Sequence, residues 1–226
     1  MKRIILIAVL LIVASTLFAE VPAVIQEVYG KVSVKAPGRG WITAKPGTRI
    51  AKDYIISTGF NSKAVIKLGK SILVVKQLTR MKLSELIEKN GVLHTTLFLR
   101  VGKIKASVRK VKGLRQDFKV KSPISTAAVR GTEFEFDGKT LKVSNGIVSF
   151  VNNLGQKRSV NVGELAVMAG TGLPKTGEEL KELVRTNIPE AEEILSLLEN
   201  IDTSTLNDII NEIQNLTDVT INITWD

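Results

Sequence analysis

Apolar and polar residues alternate strictly in short runs along most of the chain. Residues 31–35 read KVSVK, 64–68 AVIKL, 103–108 KIKASV and 118–122 FKVKS, and TLKVS (140–144) and IVSFV (147–151) continue the series. An apolar side chain at every second position places all of them on one face of a pleated strand, so each run predicts a half-buried strand. Turn-forming residues separate the runs, at Pro37-Gly38, Pro46-Gly47, Gly69, Asn90-Gly91, Asp137-Gly138 and Asn145-Gly146. Asn and Gly both accept the positive φ of a two-residue hairpin turn. Asn145-Gly146 is therefore read as a hairpin, and Asp137-Gly138 as another between EFEF and KTLKVS. The spacing predicts a mainly β fold, an antiparallel two-sheet sandwich of jelly-roll-like type, with a short β-solenoid as alternative. MKLSELIEKN (81–90) is ambiguous. Leu83 and Leu86 fit a helical turn or a strand with a polar kink, and it is taken as strand-like. Strands open on glycine at Gly30-Lys31-Val32, Gly102-Lys103-Ile104 and Gly146-Ile147-Val148, but at no regular period, so no repeat architecture follows.

After Gly172 the period changes. TGLPKT (171–176) reads as a linker. Leu180, Leu183 and Val184 then fall at helical spacing, with a break from Asn187 to Pro189. Ala191, Ile194, Leu195 and Leu198 mark a second helix. Leu206, Ile209, Ile210 and Ile213 mark a third, capped by Thr203 or Ser204. Val219, Ile221, Ile223 and Trp225 alternate like a strand. At the other end, Lys2 and Arg3 precede an apolar run from Ile4 to Phe18, and the small Ala19 precedes Glu20. This is the outline of a secretory signal peptide cut after Ala19, with an uncleaved anchor as alternative. The expected division is a leader at 1–19, a β domain at 20–172, an acidic helical tail at 173–217 and a strand-like end at 218–226. The expected location is periplasmic or secreted.

Charge sharpens the division. Residues 20–172 hold 27 Lys and Arg against 10 Asp and Glu, a net +17, whereas 173–226 hold 3 against 12, a net −9. With no cysteine, a disulfide scaffold, a Cys-ligated zinc site and a thiol nucleophile are excluded. Lys31, Lys35, Lys103, Lys105, Lys119 and Lys121 stand at polar positions of the alternating runs. They read first as a solvated strand face and second as a polyanion contact. Nucleic acid is not expected, since few aromatics are present to stack bases. Anionic glycan or lipid headgroups fit an exported chain better.

One stretch breaks the pattern. In STAAVRGTEFEF (125–136), Ala127 and Val129 are apolar at odd positions, and Phe134 and Phe136 at even ones. One extra residue restores a common core face, and Gly131 is the natural bulge. Thr132 then joins the core face, and Arg130 and Glu133 are brought together as an ion pair that pins a corner.

The same stretch, VKSPISTAAVRGTEFEF, resembles the signature of the FecR domain. So do IISTGFNSKAVIKL (55–68), LRVGKIKASV (99–108) and the closing VSNGIVSFV…VNVGELAVM (143–168). The resemblance covers about residues 25–170 and implies a β-rich extracytoplasmic module. Well-known members are transducers that sense an outer-membrane receptor and control a sigma factor. This chain has only two basic residues before the apolar run and an acidic helical end, so no anti-sigma domain of its own is expected, and the alternative role is a component of a FecR-type transmembrane signalling system that lacks one. What does carry over is the β module, the extracytoplasmic location and a role in contacts with another envelope protein or an envelope polymer.

No catalytic constellation emerges. His94 is the single histidine and has no acidic neighbour in sequence, which leaves it an edge-strand residue rather than a general base or metal ligand. Ser122 and Ser125 with Lys121 suggest a Ser–Lys pair, but adjacent strand residues point apart. Glu133 and Glu135 share a face, yet a glycosidase acid needs a raised pKa, and a cation beside it acts the other way. The expectation is a non-enzymatic binding or scaffold protein with no cofactor and no metal.

Overall fold

The computed structural model describes residues 23–110, 113–168 and 172–187. The predicted leader, the two later helices and the strand-like end lie outside these residues. In chain order the strands are β1 (Ala23–Tyr29), β2 (Val32–Lys35), β3 (Trp41–Thr43), β4 (Arg49–Ile50), β5 (Ile55–Thr58), β6 (Lys63–Leu68), β7 (Ser71–Val75), β8 (Arg80–Lys89) and β9 (Val92–Val101). There follow β10 (Ile104–Ser107), β11 (Arg115–Lys121), β12 (Ser125–Val129), β13 (Glu133–Phe136), β14 (Thr140–Asn145), β15 (Val148–Asn152), β16 (Lys157–Val160), β17 (Leu165–Val167) and β18 (Lys175–Thr176). They form two open sheets. The first has the order β18-β17-β14-β13-β10-β7-β6-β1-β4, and the second β16-β15-β12-β11-β9-β8-β5-β2-β3. All pairs are antiparallel except β9 and β11, which run parallel from Val92↔Arg115 to Phe98↔Lys121.

The alternation read from sequence is the alternation of burial. In β6, β7, β10, β11, β13 and β15 every second side chain enters the core. The two sheets make a sandwich. Phe118 meets Phe134 and Phe136 meets Phe150 edge-on, with ring centroids 6.5 and 6.0 Å apart, each pair joining one sheet to the other. Such pairs add about 0.5–1.5 kcal/mol beyond their burial.

The chain moves repeatedly between sheets by tight arches, and this explains the broken parity at Gly131. Val129 ends β12 in the second sheet, and Glu133 opens β13 in the first. Gly131, at φ +73°, turns the chain across the sandwich, and Val129, Thr132, Phe134 and Phe136 are all buried. It is a crossing between sheets rather than a bulge within one strand. The irregularity lies next door, where β13 and β14 shift register between Glu133 and Phe134. The expected hairpin at Asn145-Gly146 is also a crossing, from β14 to β15, with positive φ at Gly146 but not at Asn145. By contrast, Asn90 (φ 51°) and Gly91 (φ 67°) close a true hairpin between β8 and β9. Asp137-Gly138 closes another, where Asp137 Oδ1 accepts from the backbone N–H groups of Lys139 and Thr140 at 2.9 and 2.6 Å.

Residues 81–90 belong to strand β8. A register shift between Leu83 and Glu85 supplies the polar kink and lets Leu83 and Leu86 both enter the core. The first sheet extends past the expected boundary at Gly172, since Lys175 and Thr176 pair with Val167 and Ala166. The compact β unit accordingly runs to Gly177. Helix α1 (Gly177–Asn187) carries Glu178 and Glu179 in its first turn, favourable against the positive helix end.

Candidate functional site

Four arches at one rim of the sandwich are stitched together by hydrogen bonds. Gly59 N–H donates to Lys31 C=O at 2.8 Å, and Leu78 N–H to Gly59 C=O at 3.0 Å. Thr79 Oγ1 donates to Lys103 C=O at 3.2 Å, and Lys76 N–H donates to the same carbonyl at 3.0 Å. The links join the arches β1–β2, β5–β6, β7–β8 and β9–β10 in a row. Each bears an outward apolar side chain: Tyr29 is 56% exposed, Phe60 78%, Leu78 57% and Val101 56%. Single exposed apolar residues are ordinary, and here four stand on neighbouring arches joined by backbone hydrogen bonds.

The echo of glycine-opened strands acquires its reason here. Lys31 N–H donates to Ser62 Oγ at 2.8 Å, and Lys103 N–H to Thr79 Oγ1 at 3.0 Å. In each arch the glycine lets the chain approach a hydroxyl of the neighbouring arch. Gly146 repeats this approach, with the side chain of Thr132.

Beside this rim, on the outer face of the second sheet, lies a groove of about 350 Å³ lined by Ile55, Arg80, Lys82, Phe98 and Arg100, among others. Lys82 is engaged by Asp53 at 3.2 Å. The Arg80 guanidinium stands 5.6 Å from the Trp41 ring, a cation–π contact that fixes it at the groove wall. Arg100 has no ion-pair partner among the described residues. The apolar row therefore borders cationic and aromatic groups. The strand pattern does not announce this site, because strand pairing brings Trp41, Arg80 and Phe98 together from three separate runs.

The six lysines singled out by alternation do not form one surface. Lys105 lies on the outer face of the first sheet and pairs with Glu133 at 2.9 Å. Lys119 lies on the second sheet and pairs with Asp117 at 2.8 Å. Lys35 and Lys121 also end strands of the second sheet, while Lys31 and Lys103 sit in arches. Glu133 is thus the partner of Lys105 and not of Arg130, because the crossing at Gly131 leaves Arg130 at the end of the other sheet. Glu135 pairs with Lys76 at 2.9 Å, whose hydrogen bond holds its carboxyl below the ordinary range against the opposing effect of burial. Hydrogen bonding to Glu133, and its charge, raise the Lys105 ammonium pKa in turn.

His94 does have an acidic neighbour, supplied by the parallel pairing. Its Nδ1 lies 3.1 Å from Asp117 Oδ2. Burial tends to raise the Asp117 pKa, but hydrogen bonds from Lys119 and His94 outweigh it and bring the value below the usual carboxylate range. Ser149 and Ser159 line the same shallow depression. Strands β11 and β12 separate His94 from Ser149, however, which at about 4.8 Å per strand is far beyond hydrogen-bond reach. Ser122 and Ser125 serve the fold: both hydroxyls donate to Gly138 C=O, at 2.8 and 2.6 Å. They tie the β11–β12 turn to the β13–β14 hairpin, while Lys121 is exposed. Among the described residues no group of three or more His, Asp or Glu is placed to hold a metal ion, and no helix is long and apolar enough to cross a membrane.

Residues 54–149, from just before β5 into β15, match the family model described as FecR protein. Over this stretch the chain is similar to a FecR domain. The sandwich extends beyond the matched stretch on both sides, from Ala23 to Thr176. No curated protein matches the chain. Among solved structures, a crystal structure at 1.65 Å of a "putative anti-sigma factor" from Parabacteroides distasonis ATCC 8503 is similar at 16% identity and TM-score 0.44. The match covers 59% of this chain and 65% of that one. A second structure, described in the same words at 2.50 Å, is similar at 15% identity and TM-score 0.43, over 59% and 64% of the two chains. The chain thus spans somewhat under two thirds of the length of these structures.

Proposed function

We propose that this FecR-domain chain is an exported, non-enzymatic binding module that acts by protein–protein contact in the cell envelope. The observation that carries this reading is the stitched row of Tyr29, Phe60, Leu78 and Val101 on four hydrogen-bonded arches. Its borders are basic, with Arg80 and Arg100 on one side and Lys31 and Lys103 within the arches. The partner segment that fits is apolar with flanking acidic residues. The apolar side chains supply affinity, and the surrounding charge supplies orientation and on-rate. A place in a FecR-type signalling assembly agrees with the domain match.

A photo-crosslinking residue at position 60, in cells that express the full chain, tests the reading. The expected result is one defined protein adduct that Leu78→Asp abolishes. Absence of any adduct at position 60, or an adduct indifferent to Leu78→Asp, overturns it. A polyanion contact has less to rest on, since the six lysines divide between two sheet faces and two arches.

A further inference from the structure

At the opposite rim, the crossing from β12 to β13 frames a cavity of about 390 Å³ lined by Lys110, Leu114, Gln116, Arg130 and Gly131. Three of its groups are cationic or neutral hydrogen-bond donors. Arg130 and Lys110 have no acidic partner among the described residues. The carboxylates on the adjoining strands are already engaged, Asp117 by Lys119 and His94, and Glu133 by Lys105. The Lys110 side chain is laid over Gly131, where an added Cβ would meet its Cγ at 2.4 Å.

The third group is the most telling. Gln116 faces inward from β11 and is only 9% exposed. Its Oε1 is a weak acceptor for Ser71 Oγ at 3.5 Å, and its Nε2 is buried with no hydrogen-bond partner. Buried amide donors are satisfied in the great majority of cases, so one left open beside two unpaired cations marks the place of a missing acceptor.

We infer that this cavity binds a phosphate group. Arg130 presents a planar fork suited to two oxygens and Lys110 a point charge, with the open Gln116 Nε2 donor buried behind the inner wall. A carboxylate would balance one of the two cations, whereas a phosphate monoester, at about −1.5 to −2, balances both. The cavity exceeds the size of one anion, and Leu114 offers an apolar wall to whatever the phosphate carries. Free phosphate compounds and the monoester headgroup of phosphatidic acid share this chemistry.

The test is titration of the full chain with inorganic phosphate at constant ionic strength, following the Gln116 side-chain amide and the Gly131 backbone amide by NMR. Both signals should shift saturably, and Arg130→Ala or Lys110→Ala should weaken the affinity at least tenfold. Both substitutions lie at the surface, and unchanged spectra elsewhere certify the fold. Vesicles of phosphatidic acid, whose headgroup is a phosphate monoester, form a second arm. A response to soluble phosphate supports a free ligand, and a response to vesicles alone supports a headgroup. Shifts that rise linearly without saturation, survive both substitutions or are matched by acetate would overturn the assignment, as would no response in either arm.

Discussion

Gly102 lies so close to Thr79 that a Cβ added to it would stand 2.4 Å from the Thr79 Cα and 2.3 Å from its Oγ1. The obstacle is backbone, which cannot swing aside. Gly102 also has φ +94°, a conformation that side chains rarely adopt. Gly102→Ala should therefore cost more than about 2 kcal/mol, combining strain with displacement of an arch. Gly91→Ala, at φ 67° with nothing within 4 Å, carries strain alone and should cost about 1 kcal/mol. Urea denaturation of the two variants checks the difference.

Gly131 falls between these cases. Its φ is +73°, but the group that a Cβ would meet is the flexible Lys110 side chain. Gly131→Val should destabilise by about 2 kcal/mol or more, because a β-branched residue is poorly tolerated at positive φ. Gly131→Asn should lose less than about 1 kcal/mol, since Asn accepts that region. Equal losses for Val and Asn would show that Lys110, rather than the backbone, decides the position.

Acid should weaken the sandwich in a defined window. Asp117 and Glu135 both titrate below their ordinary values of 3.8 and 4.5 when folded. A depressed folded pKa contributes stability that is present above the unfolded pKa and is lost as pH falls through the folded one. The urea midpoint should thus hold above about pH 5 and fall below about pH 4. Both groups are partly exposed, so each contributes less than about 1 kcal/mol. Glu135→Gln should cost little at pH 7 and remove its share of the acid slope. A midpoint that rises on acidification would contradict the assignment.

Phe134 and Phe136 hold the two sheets together, each buried and each edge-on to a ring of the other sheet. Phe134→Ala should cost about 3–5 kcal/mol, while Phe134→Leu, which keeps most of the volume, should cost less than half of that. Thermal unfolding of the two variants measures the ratio.

The exposed row should behave oppositely. Phe60→Ser and Leu78→Ser remove apolar surface without touching the core, so stability should change by less than about 0.5 kcal/mol. Both substitutions should reduce binding of a hydrophobic dye, and Leu78→Ser should abolish the position-60 adduct. A large fall in melting temperature would mean that these side chains support the arches.

Much of the architecture is legible in the chain because strand burial has a period of two, and KVSVK, AVIKL, KIKASV and IVSFV display it openly. Even the kinked β8 is visible in the offset of Leu83 and Leu86. The proposed contact surface is less legible. Phe60 and Leu78 lie in arches, where no period applies, Tyr29 and Val101 stand at strand ends, and Arg80 meets Trp41 only through the pairing of β2, β3, β5 and β8. The acidic partner of His94 stays hidden because Asp117 is 23 residues away and reaches it through a parallel pairing.

The two Asn-Gly pairs mark the boundary between what sequence and tertiary structure each decide. By itself the sequence determines that the chain turns at 90–91 and at 145–146, since Gly, and more rarely Asn, accepts positive φ without a side-chain clash. It also determines which side chains face the core. The first pair folds β9 back beside β8, and the second carries β14 across to β15 in the other sheet. The local dihedral cost hardly distinguishes the two routes. At Gly146 the choice falls to the arch packed against it, where the Thr132 side chain and the Gly131 carbonyl leave room only for a glycine.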